Sequence, residues 1–345
     1  MAFAPFPVDA PSGGRSIQAA VAGEALIDLI RQPDGRYLPC HGGALFNLSR
    51  ALSRQGVGTH YLNPLSSDRF GRELARRLTA DGVRLSAPEP VQAPTSLAMV
   101  DVDAQGHPQY AFYRDGVADR GVDADGLTRH CDALPELRLV CTGALALDAR
   151  DTDRYLPWLR VQRLLRRCVV VDANLRPSVM PDLDAYRASV QRALALADIV
   201  KVSDEDLQHL GVPGDDALAR CGRVLDAHPQ ISLIALTLGA EGAWLLHRNG
   251  IHCFAKESRR LTVVDTVGAG DSFLAGLLAH LLCQAQMARA ANLVAVLANL
   301  LHHSCDQALR HALGSASLCV QASGAAAPTW QEVRDWVAAD ERRIA

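Results

Sequence analysis

The chain has 345 residues, 49% of them hydrophobic and 21% charged, with a formal net charge of −3. That length buries a sizeable core, and a charge so near balance leaves no electrostatic footprint for nucleic acid or an anionic membrane surface. No stretch approaches the ~18 uninterrupted apolar residues of a membrane span, and nine cysteines, an odd number without a CxxC spacing, fit the reduced thiols of a cytoplasmic protein better than a disulfide or zinc framework.

Residues 1–15 hold Pro5, Pro7, Pro11 and a Gly13-Gly14 pair without a basic head or a continuous apolar run, so they read as a flexible tail and not as a signal peptide. The strand-length apolar run 17–23 comes next, then two stretches with helical spacing of apolar residues at 44–55 and 69–81. Between Ser96 and Tyr113 two runs of period-2 alternation flank Gln105-Gly106, the pattern of a β-hairpin, which with Tyr37-Leu38-Pro39-Cys40 predicts a small sheet outside the main one. Beyond it strands are expected at 138–142, 169–172, 199–202, 234–238 and 242–246, and helices at 156–166, 183–197, 217–227, 272–283 and 287–302. The stretch from His302 to Leu318, with Cys305 and His311, reads as an extra helix to which no function attaches. Strands alternating with helices predict one α/β domain over 16–345, with a mainly parallel central sheet covered by helices on both faces. In such sheets ligands bind beyond the carboxyl ends of the strands, so polar residues there are the first candidates for function.

The densest of these segments is Asp265-Thr266-Val267-Gly268-Ala269-Gly270-Asp271-Ser272-Phe273, placed between 261–264, read as a strand end, and the apolar helix 272–283. Gly268 and Gly270 then sit at a helix N-terminus, where amides unobstructed by side chains converge on an anion such as phosphate. A carboxylate inside an anion site repels that anion, so Asp271 takes a different role: general base for a hydroxyl that attacks phosphorus. Read alone, Gly-x-Gly would be a tight turn with a capping aspartate.

Other polar residues stand at similar places. Asp28 closes Gly23-Glu24-Ala25-Leu26-Ile27-Asp28, and Gly42-Gly43 opens a helix that carries Asn47 one turn in. Asp172-Ala173-Asn174-Leu175-Arg176 follows a valine-rich strand. Lys201-Val202-Ser203-Asp204-Glu205-Asp206 has the form of an N-cap with an acidic first turn. Thr237-Leu238-Gly239-Ala240-Glu241-Gly242 joins two apolar runs as a turn would, and Ala322-Ser323-Gly324-Ala325 is a late small-residue loop.

The nine-residue string at 265–273 closely resembles the C-terminal signature of the ribokinase, or PfkB, family of carbohydrate kinases, and the other segments match that family in order from Gly23 to about Trp330. The resemblance implies an ATP- and Mg2+-dependent sugar kinase with Asp271 as base, Gly268, Ala269, Gly270 and Asp271 as the anion hole, and Arg176 facing substrate or the transferring phosphate. It implies sugar contacts from Asp28, Gly42, Gly43, Asn47, Phe112 and Arg114, and nucleotide contacts from Lys201, Ser203, Thr237, Gly239, Gly242, Gly268 and Gly270. Magnesium would be organised through water by Asp206, which replaces the family glutamate, or by Glu205. A K+ site would fall at Asp265, Val267 and Gly324, and the small sheet, segments 32–42 and 94–120, would be a lid through which two copies pair. The strings 23–28 and 112–120 are most similar to bacterial fructokinases, with 2-keto-3-deoxygluconate kinase, ribokinase and a non-catalytic sugar-binding regulator as the alternatives. A P-loop is absent, and Gly23-Glu24-Ala25 does not supply the Gly-x-Gly-x-x-Gly of a dinucleotide enzyme.

Overall fold

The computed structural model describes residues 15–102 and 108–344, so the expected tail and the Gln105-Gly106 turn lie outside the described residues. The chain opens with β1 (Ala19–Val21), β2 (Leu26–Arg31), β3 (Tyr37–Gly42), α1 (Ala44–Arg54), β4 (Thr59–Tyr61), α2 (Arg69–Ala80) and β5 (Arg84–Leu85). It continues through β6 (Ser96–Val102), β7 (Pro108–Tyr113), α3 (Ala124–Asp132), β8 (Leu139–Gly143), α4 (Thr152–Leu164), β9 (Cys168–Asp172), α5 (Leu183–Leu194), β10 (Ile199–Ser203), α6 (Asp204–His209) and α7 (Ala217–Ala227). The last elements are β11 (Leu233–Thr237), β12 (Ala243–His247), β13 (His252–Ala255), α8 (Ala269–Met287), α9 (Leu293–Ala298), α10 (His302–Cys319) and α11 (Trp330–Ile344).

Among the described residues nine strands pair in the order β13-β12-β11-β10-β9-β8-β1-β4-β5, parallel except where β12 meets β11 and β13. The central strands are mostly apolar because both faces are covered, and their alternation sorts the side chains. Cys168 and Val170 face the layer of α1, α8 and α10; Val169 and Val171 face α4 and α5. A second sheet, β3-β2-β6-β7, stands apart. Its middle strand β2 is a stretch whose sequence suggested only a post-strand turn, so Asp28 rides on the small sheet and not at the end of a main-sheet strand.

Two expected elements fail. The helix expected at 287–302 is two breaks and a short helix: Arg289 turns into the left-handed region at φ 49, Asn292 restarts α9 by accepting the Ala295 N–H, and α10 begins at His302. The apolar segment 261–264 is no strand. Val263 and Val264 are exposed, and the segment is tethered by the Val264 and Asp265 N–H groups donating to the Val320 carbonyl. Helix α8 is longer than expected at both ends, which brings Ala269, Gly270 and Asp271 into its first turn.

Candidate active site

Gly268 is the N-cap of α8 at φ 78, a left-handed conformation, and a Cβ there would lie 2.5 Å from that of Ala325. Only glycine meets both demands. The turn is braced by Asp265, whose carboxylate accepts the Val267 N–H at 3.0 Å and the Gly324 N–H at 2.9 Å. The three residues expected around a monovalent cation are thus in one place.

Asp271 is buried and accepts a hydrogen bond from Asn47 Nδ2 at 3.0 Å, while Asn47 Oδ1 is buried without a hydrogen-bond partner. Burial, reinforced by the negative charge of Asp172, pushes the Asp271 carboxyl up to about 7; Asn47, Lys201 and Arg176 oppose that rise. A base tuned to that range both deprotonates near neutrality and accepts a proton readily. Lys201 is buried with its Nζ 3.1 Å from Asp172 Oδ1, and a Cβ on Gly270 would lie 3.1 Å from the same Nζ. The ammonium therefore stands directly behind the helix turn that would receive an anion. Burial alone would depress its pKa, but Asp172, Asp206 and Asp271 hold it above the ordinary value, so it is a fixed positive charge.

Around this floor the other expected residues fall into three groups. Asp28 lies against Gly42, where an added Cβ would come within 2.1 Å of its Oδ2, and burial raises its pKa to about 6 against the field of Arg176. Asp28, Ala98 and Phe112 are register partners, so they form one cross-strand row on one face of the small sheet. Phe112 and Arg114 line a cavity of about 370 Å³ with Asp115, Asp148, Arg150, Ser178, Met180 and Pro181. Arg176 is exposed between these carboxylates, bonded through Nη1 only to the neighbouring Leu175 carbonyl, and its charge reaches Asp28, Asp172 and Asp271.

On the other side, Ser203 and Thr237 are register partners at the ends of β10 and β11, and Gly239 and Gly242 turn the following loop at positive φ. Ser203 and Asp206 form a reciprocal capping box. Asp206 spends one carboxylate oxygen on the Ser203 N–H and the other on the Leu175 N–H, each at 2.7 Å, so its first duty is to tie α6 to the loop after β9. Glu205 is exposed on the same turn. Among the described residues no three His, Cys, Asp or Glu side chains are grouped to hold a metal.

Sequence reasoning passed over Glu24 and Asp172. Glu24 is buried, its Oε1 accepts the Ala44 N–H at 3.0 Å at the start of α1, and burial lifts its pKa to about 8 against the pull of Arg114. The signal was an acid in an otherwise apolar run, and its meaning depends on what surrounds it.

Known proteins resemble the chain over most of its length. The sequence model described as pfkB family carbohydrate kinase matches residues 17–332. The chain is 36% identical over 270 residues to a fructokinase of Rhizobium leguminosarum bv. trifolii, covering 75% of this chain and 78% of that one. It is 31% identical over 267 residues to a fructokinase of Escherichia coli, covering 77% and 85%. Among solved structures, a fructokinase with bound ATP from Xylella fastidiosa superimposes with a TM-score of 0.79 at 25% identity, covering 94% of this chain and 99% of the other.

Proposed function

The chain belongs to the pfkB family of carbohydrate kinases, and we propose that within it the protein transfers the γ-phosphoryl group of ATP to the 6-hydroxyl of D-fructose. The relatives named fructokinase, at 36% and 31% identity, support that substrate. The observation that carries the chemistry is Asp271, buried in the first turn of α8, pushed up to about 7 and oriented by Asn47.

In this reading Asp28, Gly42, Gly43, Asn47, Phe112 and Arg114 hold the sugar under the small sheet, which acts as a lid that excludes water competing as acceptor. Thr237, Gly239, Gly242 and Ser203 hold the nucleotide. Asp271 takes the proton of the hydroxyl as its oxygen bonds to the γ-phosphorus, and the bond from that phosphorus to the β-phosphate oxygen breaks, releasing ADP. Lys201, Arg176 and the amides at Gly268, Ala269, Gly270 and Asp271 face the charge spread over the transferring group. Mg2+, bound mainly to the phosphates with Asp206 or Glu205 beyond its waters, would neutralise the β- and γ-oxygens, and K+ would brace the turn of Asp265, Val267 and Gly324. Nine free cysteines fit a reducing cytoplasm. Exposed Tyr37, Leu38 and Tyr113 support a reading in which two copies pair through the small sheet.

The test is ATP turnover with fructose, ribose, 2-keto-3-deoxygluconate, glucose and mannose, with Mg2+ or K+ omitted in parallel and an Asp271→Asn variant alongside. Fructose should be preferred, and the variant should lose about 10³-fold or more in kcat. Preference for another sugar moves the protein to a sister activity, and full turnover by the variant removes the base.

A further inference from the structure

The base and its partner come from different helices, Asp271 from α8 and Asn47 from α1, so their 3.0 Å contact depends on how those helices are docked. Most of the contact between α1, α8 and α10 is Leu and Ala. Apolar contact is non-directional and fixes depth better than register. One polar line interrupts it. His311, Ser315 and Cys319 recur every four residues and so share a face of α10.

Gln55, fully buried at the end of α1, binds two of these residues: its Oε1 is 2.9 Å from His311 Nε2, and its Nε2 donates to Ser315 Oγ at 3.2 Å. Ser315 Oγ lies 2.9 Å from the hydroxyl of Ser272, which also donates to the Ser315 carbonyl at 3.1 Å. Ser272 is the residue after the base. Gly276 permits this approach, since a Cβ there would meet the Ser315 Cβ at 2.9 Å. At the end of the same face the Cys319 thiol donates to the Val267 carbonyl at 3.7 Å, in the turn that leads into α8. Well-packed apolar residues would hold three helices together equally well, because buried polar pairs return little net stability. What the polar line adds is direction.

We infer that the buried line Gln55–Ser315–Ser272 sets the register of α1 against α8, making Gln55 and Ser315 positioning residues for phosphoryl transfer; the inference rests on the reading of Asp271 as base. It also gives α10, which the sequence left without a role, a part in the reaction.

The experiment compares Ser315→Ala and Gln55→Met with the unaltered full-length protein, measuring kcat per folded molecule, KM for fructose and for ATP, and the pH profile of kcat/KM. Each variant is repeated with Asn47→Ala, and Asp271→Asn is run in the same assay. We expect Ser315→Ala to lower kcat about tenfold with both KM values within about twofold, and the acid limb of the profile to move upward as the Asn47 hydrogen bond loosens. With Asn47 already removed, the second substitution should cost nothing more. A folded Ser315→Ala variant with kcat within twofold of the parent overturns the inference, as do effects that multiply with Asn47→Ala. Should Gln55→Met fail to fold, Ser315→Ala, which removes one atom, decides alone. Dead Asp271→Asn beside unaffected Ser315→Ala overturns only the positioning role; active Asp271→Asn overturns the base and this inference with it.

Discussion

Two places in the molecule bury carboxylates beside a cation, and they use the arrangement differently. At the floor of the cleft Asp172 and Asp271 share the field of Lys201; at the root of the small sheet Glu24 and Asp119 share that of Arg114. In both, burial favours the neutral form and all four carboxyls are raised, Asp271 to about 7 and Glu24 to about 8. The surroundings separate the roles. At the floor the Lys201 ammonium lies against Gly270 in the first turn of α8, at a helix N-terminus.

At the root several segments are tied to these groups, while Glu24 Oε2, Asp119 Oδ2 and Arg114 Nε are buried without a hydrogen-bond partner among the described residues. Glu24 holds the Ala44 amide, Ser96 donates to Asp119, and Asn63 donates to the Asp119 carbonyl at 2.7 Å and to Tyr155 Oη at 2.9 Å. Arg114 Nη1 donates to the Leu145 carbonyl at 3.3 Å. A perturbed carboxyl is therefore a catalytic candidate only where something can reach it, and otherwise an anchor.

The largest expected break in that comparison is Arg114→Met. It removes the cation that most offsets the burial of two acids, and urea denaturation should show a loss of about 3–5 kcal/mol. A loss below ~1 kcal/mol would mean that the root is not held by charge. Lys201→Met should act on rate: kcat falling about 10²-fold, with the acid limb of the pH profile moving up because Asp271 loses a stabilising cation. An unmoved limb would separate Lys201 from the base.

Glu24→Gln sharpens the contrast through pH. Folded Glu24 keeps its proton from the ordinary 4.5 up to about 8 while the unfolded chain releases it, so raising pH through that window costs the native protein stability. Glutamine does not titrate, and the variant should gain on the parent by up to about 1.4 kcal/mol per pH unit across the window, with no difference below it. Parallel stability curves for the two proteins would refute an anchoring, protonated Glu24.

Much of the site was legible because it is local. Gly268 and Gly270 before an apolar helix announce an anion site, and a carboxylate in that turn announces chemistry. Asp206 was harder: its place in a capping box could be read from Ser203 three residues earlier, but its second bond, to the Leu175 amide, comes from another loop. The exposed valines at 263 and 264 misled because an apolar run of that length serves equally in a strand or as a tether.

By itself the sequence determined the strand-helix alternation, the antiparallel pair of the small sheet and a helix start beside Gly268 and Gly270, with Asp271 as the candidate base, since all of these follow from periodicity and turn chemistry within a few residues. Tertiary structure alone decided that Asn47 meets Asp271 across 224 residues, that Gln55 meets His311 across 256, and that Lys201 stands behind Gly270. Such contacts depend on the docking of whole helices and sheets. So do the raised pKa values of Asp271 and Glu24, because desolvation belongs to the assembled surroundings and not to the residue.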